Sequence, residues 1–215
     1  MKSFLVIGLG RFGKHLCTSL MDQNAEVMAV DSDEEQVDAI AGHVTKAQIG
    51  DCTREDVLRS LGPANFDACF VCMGTDFQSS LETTSLLAEL GAKMVISKAG
   101  TRIQEKFLLK NGATEVVYPE REMAVKLARR MTSGKIADYL EITDDVSLFQ
   151  IECFDAWRGK TIADLNFRKK YNANIVAIKK GESILMPVPD YRFDKTEEIM
   201  VICNKTDMNK LLKRG

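Results

Sequence analysis

Phe4-Leu5-Val6-Ile7-Gly8-Leu9-Gly10-Arg11-Phe12-Gly13 decides how this chain is read. An apolar run leads into a G-x-G-x-x-G turn and then into a helical pattern, the order of a dinucleotide-binding βα unit. Gly8 permits the tight turn, Gly10 lets backbone approach a pyrophosphate, and Gly13 lets the helix pack closely on the strand. The helix start then offers unpaired N–H groups and a partial positive charge to phosphates.

Outward from the turn, Asp31 ends the second apolar run, Glu26 to Val30. A carboxylate at that strand tip can accept hydrogen bonds from a ribose diol and would repel a 2′-phosphate, which favours NAD, ATP or ADP over NADP. Asp51 follows the third run, at Gly50-Asp51, where an adenine ring is expected. The alternative for Asp31-Ser32-Asp33 is helix capping.

Strand-like runs at 3–7, 26–30, 43–49, 67–72, 93–97 and 114–118 alternate with helical stretches at 11–23, 33–41, 54–61, 78–90 and 101–110. That alternation predicts an α/β fold, a Rossmann-like doubly wound parallel sheet. Glu120 to Arg130 reads as a further helix with Met123, Leu127, Ala128 and Met131 along one stripe, available to a partner subunit. Near Thr132-Ser133-Gly134 the pattern changes. Short β-like runs at 147–153, 174–179, 183–186 and 198–203, with helices near 161–168 and 206–213, predict a smaller α+β domain. The expected domains are 1–133 and 134–215, the second too small to bury much core alone and expected to pair with itself.

Composition narrows the function classes. With 29 basic and 31 acidic residues spread along the chain, no basic block suggests a nucleic-acid groove. The opening apolar run is too short for a signal peptide and nothing approaches a transmembrane span, so a cytosolic location is expected. The six cysteines read as free thiols. Cys69-Phe70-Val71-Cys72 lies in a strand-like run that sends its two sulfurs to opposite faces, unsuited to sharing a metal.

An oxidoreductase needs a proton donor or acceptor beside its cofactor. His15 falls in the first helix and His43 at the start of the third strand, both away from the carboxyl edge of the sheet; Tyr191 and Lys195, the single Tyr-x-x-x-Lys spacing, fall in the smaller domain. A nucleotide site without catalytic equipment points to binding as the output. Arg11, inside the glycine turn, can reach an extra terminal phosphate in bidentate geometry. A solvated surface arginine is the alternative.

These residues resemble the regulatory subunits of the Ktr/Trk potassium-uptake systems, an RCK (KTN) domain followed by an RCK-C (TrkA-C) domain. The resemblance runs over essentially the whole chain. It rests on the glycine turn, Val30-Asp31, Gly50-Asp51, Ile96-Ser97-Lys98-Ala99, Tyr118-Pro119-Glu120-Arg121-Glu122-Met123, Ile162-Ala163-Asp164-Leu165, Ile175-Val176-Ala177-Ile178 and Pro187-Val188-Pro189. It implies a homodimer assembling into an octameric ring on the cytosolic face of a separate membrane potassium-channel subunit, with ATP and ADP favouring different ring shapes. It implies nucleotide contacts from Gly8, Gly10, Arg11, Phe12, Gly13, Asp31, Ser32, Asp51, Cys52 and Lys98. Glu120 matches a glutamate that helps bind Mg²⁺ or Ca²⁺ beside ATP; a first-turn helix acid is its other reading. Ile162, Arg168, Asn174, Ile175 and Pro187 fall where close relatives bind cyclic di-AMP, although core packing accounts equally for the isoleucines. Gly50-Asp51-Cys52-Thr53 resembles the Trk branch, which goes with NAD/NADH, so NAD(H) stands beside ATP/ADP. A small NAD-dependent dehydrogenase and a freestanding nucleotide-binding protein are the remaining readings.

Overall fold

The computed structural model describes residues 1–74, 76–132, 135–194 and 196–214, with all their side chains except those of Arg129, Arg130 and Arg214. Two compact units emerge, Met1–Glu120 and Arg121–Gly215. The division expected at 133/134 lies outside the described residues, and so does Lys195.

In the first unit, β1 (Ser3–Ile7), α1 (Arg11–Asp22), β2 (Glu26–Asp31), α2 (Glu34–Ala41), β3 (Lys46–Ile49), α3 (Glu55–Leu61), β4 (Ala68–Val71), α4 (Phe77–Glu89), β5 (Val95–Lys98), α5 (Arg102–Lys110) and β6 (Glu115–Val117) alternate along the chain. The strands form one parallel sheet in the order β3-β2-β1-β4-β5-β6. The expected doubly wound sheet is therefore present, with the reversal of strand order between β1 and β4. Apolar residues cover both faces, as parallel strands require. Leu5, Ile7 and Cys69 pack in one core with Leu58 and Leu87, while Val6, Cys17 and Cys72 pack in another with Val37 and Ile40. The two thiols of the C-x-x-C run thus lie in separate cores. The third strand begins at Lys46 rather than 43, because His43 closes a turn on the Ile40 carbonyl (2.8 Å) and pairing with β2 starts at Met28 opposite Lys46.

Helix α6 (Pro119–Thr132) begins at the end of the first unit and continues into the second. Along its stripe Met123, Leu127 and Met131 are exposed.

The second unit contains β7 (Ile136–Glu141), β8 (Val146–Glu152), α7 (Ile162–Leu165), α8 (Phe167–Tyr171), β9 (Asn174–Lys180), β10 (Ser183–Leu185), β11 (Glu197–Asn204) and α9 (Lys205–Arg214). Its antiparallel sheet has the order β10-β9-β11-β8-β7. Trp157, with Phe154, Phe167, Tyr171 and Phe193 around it, sits in the core. Two features depart from the sequence expectation. Strand β7 was not expected: it is an edge strand with a register shift between Ile136 and Asp138, and only Ile136 is buried, so the apolar alternation is faint. The helix expected over 161–168 is two short helices. Thr161 and Asp164 form a capping box, and Asn166 at φ +45° ends α7 in the left-handed conformation that asparagine tolerates.

Candidate nucleotide-binding site

The carboxyl ends of β1, β2, β4 and β5 meet at the glycine turn. Gly8 has φ +91°, and a Cβ there would lie 2.9 Å from the Met73 nitrogen. At Gly13 a Cβ would stand 1.9 Å from the Gly8 carbonyl oxygen, so α1 can rest on the turn only if this residue has no side chain. Gly10, the residue preceding α1, is different. Its φ is −64° and a Cβ would meet nothing within 4 Å. Neither backbone geometry nor packing of the chain demands glycine there; a close approach by a ligand would.

Asp31 fastens the turn to the neighbouring strand. Its Oδ2 accepts the Leu9 N–H at 2.6 Å and its Oδ1 accepts the Asp33 N–H at 3.0 Å. Each oxygen keeps a further lone pair, and the side chain is half-exposed. The N-cap of α2 is Asp33, not Asp31, and the side chain of exposed Ser32 makes no hydrogen bond among the described residues. Asp51 accepts both the Thr53 N–H (3.0 Å) and the Thr53 hydroxyl (2.7 Å), and those bonds hold its carboxyl below the usual range. Cys52 turns inward. Burial pushes its thiol up to about 12, and its carbonyl accepts the Thr83 hydroxyl at 3.2 Å. Its buried side chain is therefore no candidate contact, which leaves the backbone.

Lys98, the last residue of β5, sits with its side chain 14% exposed. Its Nζ donates to Glu120 Oε1 at 2.6 Å, lies 5.7 Å from the centre of the Phe12 ring, and would be 3.4 Å from a Cβ on Gly74. Glu120, in the first turn of α6, is 64% exposed. The hydrogen bond from Lys98 holds its carboxyl below the ordinary range, and the charges of Lys98 and Arg11 act in the same direction. Arg11 is exposed and makes no hydrogen bond or ion pair among the described residues. Gly8, Gly10, Arg11, Phe12, Gly13, Asp31, Lys98 and Glu120 are thus brought to one edge. Gly74 belongs with them and was missed from sequence. Its signal was a glycine three residues past the end of β4, at the point where strand order reverses.

Among the described residues no group of three His, Cys, Asp or Glu side chains could hold a metal ion. A hard cation at Glu120 would have to take its remaining ligands from water and phosphate oxygens, which suits Mg²⁺.

In the second unit Arg168 Nε donates to Asn174 Oδ1 at 2.7 Å, joining α8 to β9 through two exposed side chains. Ile162 and Ile175 are half-buried and pack on the core around Trp157. Pro187 is half-buried in the segment after β10; two residues on, the Pro189 carbonyl accepts the Ala163 N–H of α7 at 2.9 Å.

Among the described residues no helix is long and apolar enough to cross a membrane. The TrkA-N domain family matches residues 4–119, and the TrkA-C domain family matches residues 155–214. The chain is 41% identical over 214 residues to "Ktr system potassium uptake protein C" of Bacillus subtilis (strain 168), covering 99% of this chain and 97% of that relative. Identity to "Ktr system potassium uptake protein A" of the same organism is 36% over 215 residues, covering 100% and 97%. Among solved structures the chain superimposes on "GsuK Channel" with a TM-score of 0.73 at 16% identity, covering 98% of this chain and 38% of that one, a likeness of fold. With a TrkA-N domain followed by a TrkA-C domain, and with Ktr relatives along its full length, this chain belongs to the Ktr/Trk family of potassium-uptake regulatory subunits.

Proposed function

We propose that the chain is the cytosolic nucleotide sensor of a potassium-uptake system, a switch and not an enzyme. Its glycine turn takes ATP or ADP, and the difference between them is passed to a membrane channel subunit. The observation that carries this reading is Gly10: open space where a Cβ would stand, directly before an α1 whose first residue, Arg11, has no hydrogen bond or ion pair among the described residues. A polyphosphate would lie against the Gly10 backbone and the α1 N-terminus, with Arg11 and Lys98 towards its end. Asp31 would use its remaining lone pairs on the ribose hydroxyls, while Asp51 and the Cys52 backbone border the adenine. Glu120 would share Mg²⁺ or Ca²⁺ with the phosphates.

Regulation follows if the two nucleotides bind two shapes of the assembly unequally, since a ligand shifts a conformational equilibrium only by its differential affinity. The exposed Met123, Leu127 and Met131 of α6 support self-association, which in this reading builds the homodimer and an octameric ring. In the second unit, Arg168, oriented by Asn174, is placed to pair with a phosphate of cyclic di-AMP, with Ile162, Ile175 and Pro187 against its bases. NAD(H) is the second reading. It is favoured by Asp31, a half-exposed carboxylate with accepting capacity left at the tip of β2.

Calorimetric titration with ATP, ADP, NAD⁺ and NADH, with and without Mg²⁺ or Ca²⁺, tests the assignment. Micromolar or tighter ATP and ADP binding, cation-sensitive for ATP alone, is the expected result. Preference for NADH would move the chain to the NAD(H) reading and cancel the roles given to Arg11 and Glu120. Turnover of NADH with a substrate panel would overturn the non-enzymatic reading.

A further inference from the structure

Lys98 and Glu120 make an uneven pair. The Lys98 side chain is 14% exposed, with its Nζ 5.7 Å from the centre of the Phe12 ring and 3.4 Å from where a Cβ on Gly74 would stand, whereas the Glu120 side chain is 64% exposed. An enclosed charge deprived of its partner is costly, so Lys98 needs an anion at this point whatever else happens at the site. A carboxylate 2.6 Å from Nζ occupies the place a phosphate oxygen would take, with the charge of Arg11 acting on the same carboxylate. The positive charges of Lys98 and Arg11 both act on the Glu120 carboxylate, so this part of the edge favours an anion. It can exchange that carboxylate for a more highly charged anion without leaving Lys98 bare.

The geometry points to Glu120 as a tethered competitor of phosphate. A terminal phosphate engages Lys98 only by displacing the Glu120 carboxylate, and a displaced carboxylate beside a polyphosphate is what calls in a divalent cation. Cation dependence then has a cause inside the apo chain. Without the cation, the freed carboxylate returns to Lys98 or repels the phosphate. With it, carboxylate and phosphate are bridged, and Lys98 is left to the phosphate alone. This inference rests on the nucleotide reading given above.

Calorimetry on the full chain separates the two. Wild type, Glu120→Gln, Lys98→Met and the double variant are titrated with ATP and with inorganic tripolyphosphate, first in EDTA and then in Mg²⁺. In EDTA, Glu120→Gln is expected to bind both probes about fivefold more tightly than wild type, the effect of losing one partly exposed ion pair. Mg²⁺ then tightens ATP binding to wild type and leaves the variant unchanged. In the Lys98→Met background the same glutamine substitution is expected to have a clearly smaller effect, because the competition has lost its object and only the repulsion between carboxylate and phosphate is left to remove.

ATP binding that is equal in wild type and Glu120→Gln in EDTA, or weaker in the variant, overturns the competition and leaves the nucleotide site standing. Equal tightening in both backgrounds also overturns it, by reducing Glu120 to a general source of repulsion. Tighter tripolyphosphate binding by Glu120→Gln without any ATP binding sinks the nucleotide reading and keeps the competition. No binding of either probe by any of the proteins sinks both.

Discussion

In the six-stranded sheet all strands run parallel, and each return path is a helix. In the five-stranded sheet neighbouring strands run antiparallel. Parallel strands end at one edge, so the polar groups of their loops gather there, whereas antiparallel strands end alternately at both edges. The polar residues follow suit. Among the described residues, at the carboxyl edge of the parallel sheet, Arg11 makes no hydrogen bond or ion pair, and Asp31 accepts backbone N–H groups. In the antiparallel unit the corresponding groups serve the fold: buried Glu197 accepts the Tyr191 hydroxyl at 2.6 Å and the Asp194 N–H at 3.0 Å, and Asp207 accepts from Asn172 and Lys210. The first unit leaves these groups at its rim; in the second, the buried carboxylates hold shape.

The largest effect that could break this contrast is at Trp157, 1% exposed, with its ring centre 4.4 Å from that of Phe154 and 5.1 Å from that of Phe167. Trp157→Ala should cost about 3–5 kcal/mol, the range for emptying a large aromatic site. A calorimetric scan should show one transition moved far down while ATP affinity at the other unit is kept. Loss of ATP affinity in parallel would mean that the units do not divide the labour.

Two glycines sharpen the contrast within the first unit. Gly13→Ala sets a methyl carbon against the Gly8 carbonyl and should cost about 3 kcal/mol or more in urea unfolding, as backbone must move. Gly10→Ala meets no atom and should change stability by less than about 1 kcal/mol. It should nevertheless abolish measurable ATP binding. Stability loss at Gly10 equal to that at Gly13 would show a folding requirement and remove the main support for a ligand there.

The same division decided what could be read before the structure. The parallel unit was legible because its strands are continuous apolar runs separated by whole helices, and because strand, glycine spacing and Asp31 agree. The antiparallel unit hid β7, whose single buried residue gives no alternation, and hid the break at Asn166, which is set by one backbone conformation. At the site, Lys98 and Glu120 were each named, but their pairing was not legible. They stand 22 positions apart in the chain, and only the adjacency of β5 to the start of α6 joins them. The inward turn of Cys52 was equally silent, since an acidic strand tip does not say which neighbour enters the core.

Alkaline pH offers a subtler comparison. Burial pushes four thiols of the first unit up, Cys17 to about 11 and Cys52, Cys69 and Cys72 to about 12; in the second unit Cys153 and Cys203 rise to about 11. A thiol in the unfolded chain ionises near 9.0, so above that pH the folded state binds more protons than the unfolded one. The stability these thiols contribute is present in full below pH 9 and falls as pH rises towards 11–12. Each should remove somewhat under about 1 kcal/mol by pH 9.5, so the first unit should lose about 1–2 kcal/mol more than the second. The single tryptophan lies in the second unit and reports its unfolding alone. Fluorescence midpoints should therefore shift less between pH 8 and 9.5 than far-UV midpoints. A larger fluorescence shift would place the alkaline weakness in the wrong unit.

The smallest effect concerns Arg11, because an exposed side chain with no hydrogen bond or ion pair among the described residues contributes little to folding. Arg11→Ala should leave the urea midpoint unchanged within about 0.5 kcal/mol. If its guanidinium meets a terminal phosphate, the loss should fall on ATP, by about tenfold, and spare ADP within about twofold, since one charge-assisted contact contributes about 1–2 kcal/mol. The variant also removes one of the two positive charges acting on Glu120, so the displaced carboxylate repels the phosphate more strongly and a cation at ATP becomes more necessary. The ATP deficit should therefore be larger in EDTA than in Mg²⁺. Equal losses for ATP and ADP would assign Arg11 to phosphates that both nucleotides share. No loss for either would make it a solvated arginine and leave Lys98 as the cation that tells the two nucleotides apart.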